Sequence, residues 1–297
     1  MNSMMLHDFS PAALVRAIEE NFVESWGNFG RIGGELHQDG GIVRIACAIP
    51  QIPYNGVLRT DWRAGTDITA EITANIAYFR ERQAQMIWAV TPSTQPPDLA
   101  AHLVRHGFSL LYELAGMAAD LACLPEPPPL PPGVELREVD DLRSLREYAD
   151  LVVEKWRLPP ENIEHVFAFH RQWGIGPSKS GRRWLVWKNG VPVAKALLSL
   201  AAGAAGIYGV STAPAARRQG IGGAVTAAAL RAARQAGCRI GVLHSTGMGK
   251  GVYQSLGFKE YCKIGIYVLA QDGPSMAEQA CFAVGHAKKL GSVSKIR

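Results

Sequence analysis

Six prolines stand within eleven residues in "CLPEPPPLPPG", residues 123–133. Proline has no amide donor and a fixed φ, so neither a helix nor a central strand runs through this stretch, which forms a stiff extended connector. It cuts the chain of 297 residues near residue 128, and each part is long enough to bury its own core. The expected organisation is a first lobe over 1–122, a linker over 123–133, a second lobe over 134–270 and a tail over 271–297. The tail has a helix-like middle and a frayed end.

After the linker, strand and helix signals alternate. "VELREV" reads as a strand, "DLRSLREYADLVVEKW" as an amphipathic helix capped by Asp140 or Asp141, and "PENIEHVFAFHRQWG" as a second helix. "RRWLVW" and "VPVAKALLSL" flank Asn189-Gly190 as a hairpin. Next come strand "AAGIYGVST", helix "GGAVTAAALRAARQAG" ending on Gly237, strand "RIGVLHS", short helix "GKGVYQSLGF" and strand "YCKIGIYVL". The first lobe repeats this order more loosely, from a helix with Ser10 as cap and Pro11 at its first position, through a hairpin at "HQDGG". Gly107-Phe108 and Gly257-Phe258 lie 150 residues apart, each between a short helix and a strand, which marks a duplicated domain. The fold class is α/β (α+β): a mixed twisted sheet with flanking helices, in two tandem lobes.

Composition narrows the function. A net charge of +5 suits a handler of small anions and falls short of a nucleic-acid-binding stripe. No apolar run reaches the ~20 residues of a membrane span, and the N-terminus lacks the basic-then-apolar order of a secretory signal. Five cysteines without a CxxC pair indicate reduced thiols and a cytoplasmic setting, and supply no zinc site. His102 and His106 are spaced to share a helix face, yet Leu103 stands where a metal-binding HExxH has glutamate, so two solvated histidines are expected and no metal.

The densest chemical signal is "VSTAPAARRQGIGGAV", residues 210–225. A strand, a glycine-rich turn and a helix start bind phosphate: the first-turn N–H groups point outward and the helix dipole adds about half a positive charge. Neither GxGxxG nor GxxxxGK[ST] is present; what is present is Arg217-x-x-Gly220-x-Gly222, preceded by Pro214. Close helix–strand packing is the other use for such glycines.

This stretch resembles the R/Q-x-x-G-x-G/A signature of the GNAT superfamily of acyl-CoA-dependent N-acetyltransferases, and "LHSTGMGKGVYQSLGF", residues 243–258, is similar to its later strand, splayed loop and LYxxLGF helix. The resemblance covers roughly 134–270 and implies acetyl-CoA as co-substrate. It further implies pantetheine on the backbone of Val210 and Thr212, beside Ser211, and pyrophosphate on the amides of Arg218, Gln219, Gly220, Ile221, Gly222 and Gly223. Arg217 or Arg218 supplies counter-charge, and Thr246 joins the cofactor set. Tyr253 stands where many members carry the acid that protonates the leaving thiolate, although a tyrosine there can also simply pack its ring. His244 is the best side chain on offer as base and can equally be packed inward. Cys238 follows a helix C-terminus, where the dipole disfavours a thiolate.

Family acceptor sites fall here near Trp156, Phe167, Phe169, Trp173 and Tyr208, with Glu154, Glu161 and Glu164 able to attract an amine or to sit solvated. The expected function is acetyl transfer to a small-molecule or peptide amine in a ternary complex, by a monomer or homodimer, without nucleic-acid or membrane partners. Transfer of an aminoacyl or other acyl group, or a non-catalytic acyl-CoA sensor, are the alternatives. The first lobe has no R-x-x-G-x-G; at the 150-residue offset, Asp67 and Glu71 would repel a diphosphate, so it reads as degenerate.

Overall fold

Ser10 opens helix α1 (Pro11–Gly33), its side chain accepting from the Ala13 amide while Pro11 takes the first helical position. The structure, a computed structural model, describes residues 5–127, 129–177 and 179–269; the expected tail over 271–297 lies outside the described residues. Strands β1 (Gly34–Asp39) and β2 (Ile42–Cys47) form the first hairpin, turning on Gly40 and Gly41, both at positive φ. β3 (Gly56–Thr60), α2 (Ile68–Glu81), β4 (Ile87–Val90), α3 (Leu99–Arg105) and the long β5 (Phe108–Asp120) complete the first half.

Beyond the prolines come β6 (Val134–Glu138), α4 (Leu142–Trp156) and α5 (Ile163–Trp173). Asp141, not Asp140, caps α4, accepting from the Ser144 amide and hydroxyl. β7 (Gly181–Lys188) and β8 (Val191–Ala201) turn through Asn189 and Gly190 with φ of 51° and 80°, the left-handed pair that an Asn-Gly hairpin turn requires. β9 (Ala204–Thr212), α6 (Ile221–Gln235), β10 (Ile240–Ser245), α7 (Lys250–Ser255) and β11 (Lys259–Leu269) follow. Among the described residues no helix is long and apolar enough to cross a membrane.

The eleven strands of the described residues join one sheet in the order β1-β2-β3-β4-β11-β5-β10-β9-β8-β7-β6. The last strands of the two halves change places: β5 lies between β10 and β11, and β11 between β4 and β5. Leu114 faces Ile264, its counterpart 150 residues on, and Gly107 and Gly257 share a φ of +87°.

Alternation along the strands sends side chains to opposite faces. On one face, Tyr148 of α4 and Val166 of α5 pack on Leu185 and Trp187; on the other, Ile221, Val225 and Leu230 of α6 pack on Trp184, Val186, Leu198 and Ile207. α1 belongs to the first half by sequence, yet it runs beside α5 and sets Ile18 and Phe22 against Ala204, Ile240 and Val242 of the second half.

Candidate functional site

β9 and β10 run parallel only from Ala205↔Gly241 to Ile207↔Leu243. Beyond that point β10 pairs with β5 on its far side (His244↔Gly116, Ser245↔Ala115), while β9 bulges at Gly209, whose φ is +56°. The two strands part into a V, and among the described residues no strand pairs with residues 208–212 on the side facing it. An extended ligand with amide groups could add itself there as a strand.

The start of α6 forms the cup at the end of the V. The N–H groups of Arg218, Gln219, Gly220, Ile221, Gly222 and Gly223 have no acceptor among the described residues; Ala224 is the first to bond, to the Gly220 carbonyl at 2.9 Å. Gly220 holds a φ of +76° and Arg218 one of +58°, which turns this run outward before the helix begins. Packing does not explain Gly222 and Gly223. A Cβ there would meet nothing closer than Thr212 Oγ1 at 3.5 Å and Val252 Cγ1 at 3.7 Å, ordinary contact distances. The bareness faces the open side, which argues against helix–strand packing as the reason for these glycines.

Flanking side chains refine the expected contacts. Arg217 Nε donates to the Thr212 carbonyl at 3.1 Å, so that oxygen already has one donor, while Ser211 is paired with Lys195 of β8. The Gln219 amide donates to Ala215 and accepts from Lys188 at 2.8 Å, so Gln219 offers its backbone rather than its side chain. Arg218 is exposed, a positive charge at the rim. The Thr246 carbonyl accepts from Ser245 Oγ and the Gly249 amide, closing the turn that leads into α7.

Tyr253 on α7 is half-buried against Phe258, ring centroids 6.2 Å apart, and burial pushes its phenol up to about 12. His244 is the first β10 residue past the parting of the strands. Burial lowers its imidazole to about 4, a hydrogen bond with the Ile18 backbone orients it, and its Nε2 is buried without a partner among the described residues. The ring rests edge-on to Phe22 (5.2 Å) and 5.8 Å from Tyr208. Cys238 is buried, its thiol raised by burial and directed at Met5, which suits packing rather than nucleophilic work.

One wall of the V comes from the first half. Asn21 of α1 donates to the carbonyls of Ala201 and Ala204 and accepts from the Tyr208 hydroxyl at 2.8 Å; Ser25 donates to Ser199 at 2.8 Å. Gly206 is bare because a Cβ would collide with Asn21 and Tyr208. The sequence reading missed Asn21, Ser25, Phe22, Trp26 and Phe29; the one available signal was the ring spacing 22, 26, 29 on a helix.

Of the expected acceptor aromatics, Phe169, Trp173 and Tyr208 come together with Phe29, Ile32 and Leu197. Trp156 and Phe167 belong instead to the α4–α5 cluster. Glu154, Glu161 and Glu164 are exposed, and Glu164 pairs with Arg146 at 2.8 Å. His102 pairs with Asp98, and His106 Nδ1 lies 2.7 Å from the His102 carbonyl, so the two imidazoles face different partners.

The corresponding V of the first half is closed by its own chain. β3 and β4 pair through Gly56↔Ile87 and Val57↔Trp88, after which Gln95 returns to take the edge of β3. Its amide donates to the Thr60 carbonyl (3.0 Å) and its carbonyl accepts from Trp62 (3.1 Å), filling the place a strand-like ligand would use. Asp67, as expected at that helix start, caps α2.

Residues 145–258 match the sequence model of the acetyltransferase (GNAT) family. No curated protein sequence matches the chain. A GCN5-related N-acetyltransferase from Kribbella flavida superposes with a TM-score of 0.63 at 19% identity, over 89% of this chain and 97% of that one. One from Sphaerobacter thermophilus gives 0.59 at 15%, over 77% and 76%. A tandem GNAT protein from the clavulanic acid biosynthesis pathway gives 0.54 at 16%, over 80% and 82%. At these identities the likeness is one of fold.

Proposed function

We propose, because residues 145–258 match the acetyltransferase (GNAT) family model and the chain shares its fold with GCN5-related and tandem GNAT proteins, that the second half moves an acetyl group from acetyl-CoA to an amine. The observation that carries this is the cup: six consecutive amides, 218–223, without acceptors among the described residues, the last two on glycines that packing does not require, beside a strand edge that no described strand pairs with. A diphosphate suits such a nest of donors at a helix start. Acetyl-CoA is here a substrate, and its pantetheine amides would take the edge of β9 near Val210 and Thr212.

The roles of this chain's residues follow from their protonation states. The Tyr253 phenol keeps its proton at neutral pH, the form needed to protonate a departing thiolate. Neutral His244 keeps a lone pair, the form needed to receive a proton from the attacking nitrogen. Holding both reactants in one V supplies proximity, a contribution of up to roughly 7–11 kcal/mol in well-oriented intramolecular reactions.

Titration calorimetry with acetyl-CoA, followed by thiol release over a panel of amines, tests the reading. The expected result is binding that a CoA competitor displaces and thiol release that depends on the amine. Absence of binding overturns the proposal, and binding without turnover on any amine favours a sensor instead.

A further inference from the structure

The α1 wall of the V is aromatic and carries no negative charge. Phe22, Trp26 and Phe29 contact one another in series at 5.1 and 6.0 Å; Phe29 reaches Phe169 (4.8 Å) and Tyr54 (5.0 Å), and Phe22 reaches His244. Trp26, Phe29 and Tyr208 are only half-buried, so their rings have surface left to offer. The three glutamates of α1 are engaged elsewhere: Glu19 accepts the Ser93 amide, Glu20 pairs with Arg59 and Glu24 with Arg31.

Positive charge lies behind the same wall. Arg183 and Lys195 are 2% and 1% exposed. Their partners are the carbonyls of Gly174, Gly181 and Gly209, together with His170 and the rings of Trp173 and Tyr148; neither has a carboxylate among the described residues. Lys195 Nζ donates to Gly209, at the bulge of the V itself. Burial lowers Lys195 to about 7, so part of its population is charged at neutral pH. An alkylammonium entering here would meet like charge, with no acid among the described residues to hold it.

His244 Nε2 is a buried ring atom of the wall without a partner among the described residues, a lone pair that an N–H could satisfy. As a base titrating near 4 it is mismatched to an alkylammonium of pKa ~10.4 by about six powers of ten. It matches an amine whose conjugate acid is as strong as a carboxylic acid. Such an amine arrives uncharged.

On the acetyl-transfer reading, we infer that the acceptor is an aromatic amine, its ring stacked in the Trp26–Phe29–Tyr208 wall and its uncharged nitrogen presented beside His244. In the transfer, the nitrogen forms a bond to the acetyl carbon and the carbon–sulfur bond breaks. The nitrogen's proton passes to His244, and Tyr253 delivers a proton to sulfur. Tyr253 regains a proton as His244 gives one up, so the products are an N-aryl acetamide and free thiol, with no net proton released.

The isomers 4-methylaniline and benzylamine test this with the full-length protein, saturating acetyl-CoA and neutral pH. They share size and atoms and differ in basicity. Turnover of 4-methylaniline is expected to exceed that of benzylamine at least ~10-fold. Trp26→Leu is expected to raise KM for 4-methylaniline several-fold with the acetyl-CoA Kd unchanged. Equal or faster turnover of benzylamine, no turnover of 4-methylaniline despite bound acetyl-CoA, or an unchanged KM in the Trp26 variant would overturn the aromatic acceptor alone. Failure of acetyl-CoA to bind in calorimetry would overturn acetyl transfer and, with it, this inference.

Discussion

Burial acts in opposite directions on the two candidate proton carriers. It raises the Tyr253 phenol to about 12 and lowers the His244 imidazole to about 4, favouring the uncharged form of each. A general acid works while protonated, so raising its pKa moves the alkaline loss of activity upward. Wild-type kcat should therefore hold level through pH ~10, where an unperturbed tyrosine has already lost half its protons. Tyr253→Phe keeps the ring that packs on Phe258 and removes only the hydroxyl. Its kcat should fall about 100-fold or more, with the acetyl-CoA Kd near that of wild type. An unchanged kcat in the variant, or a wild-type alkaline limb centred near 10, removes the role.

At the scale of elements, the start of α6 separates folding from binding. Gly222 is helical and has room for a side chain, so Gly222→Leu swaps a weak helix former for a strong one, worth up to ~1 kcal/mol in favour of the helix. The same side chain covers the cup. Stability at or above wild type, together with acetyl-CoA affinity weakened at least ~10-fold, is expected from melting curves and calorimetry. Unchanged affinity would mean that the diphosphate sits elsewhere. This cup was legible in the sequence because it is local: Arg217, Gly220 and Gly222 lie within six residues, as do the Asn189-Gly190 turn and the Asp141 cap. The α1 wall was not. The bond from Tyr208 to Asn21 spans 187 residues, and Asn21 acquires its role only where Gly206 leaves space for its amide. Nor does any local spacing tell a strand that its neighbours lie in the other half.

For the whole molecule, the exchange of strands sets the unit of folding. β5 pairs only with β10 and β11, both from the second half, while β11 pairs only with β4 and β5, both from the first. Separating the halves would strip both edges of the 13-residue β5 and leave β11 without a neighbour. Long unpaired edges template aggregation. The second half would also lose α1, and with it the partners of Tyr208 and the apolar cover over Ala204, Ile240 and Val242. Residues 1–127 and 129–297, produced separately, should each lack a cooperative thermal transition, while coexpression should yield a one-to-one complex that melts once and binds acetyl-CoA. The linker itself can be cut, because no strand or helix passes through its described prolines. A cooperative melt in either half alone, with acetyl-CoA bound as tightly by 129–297 as by the full chain, would show that the shared sheet is dispensable and that α1 is no part of the site.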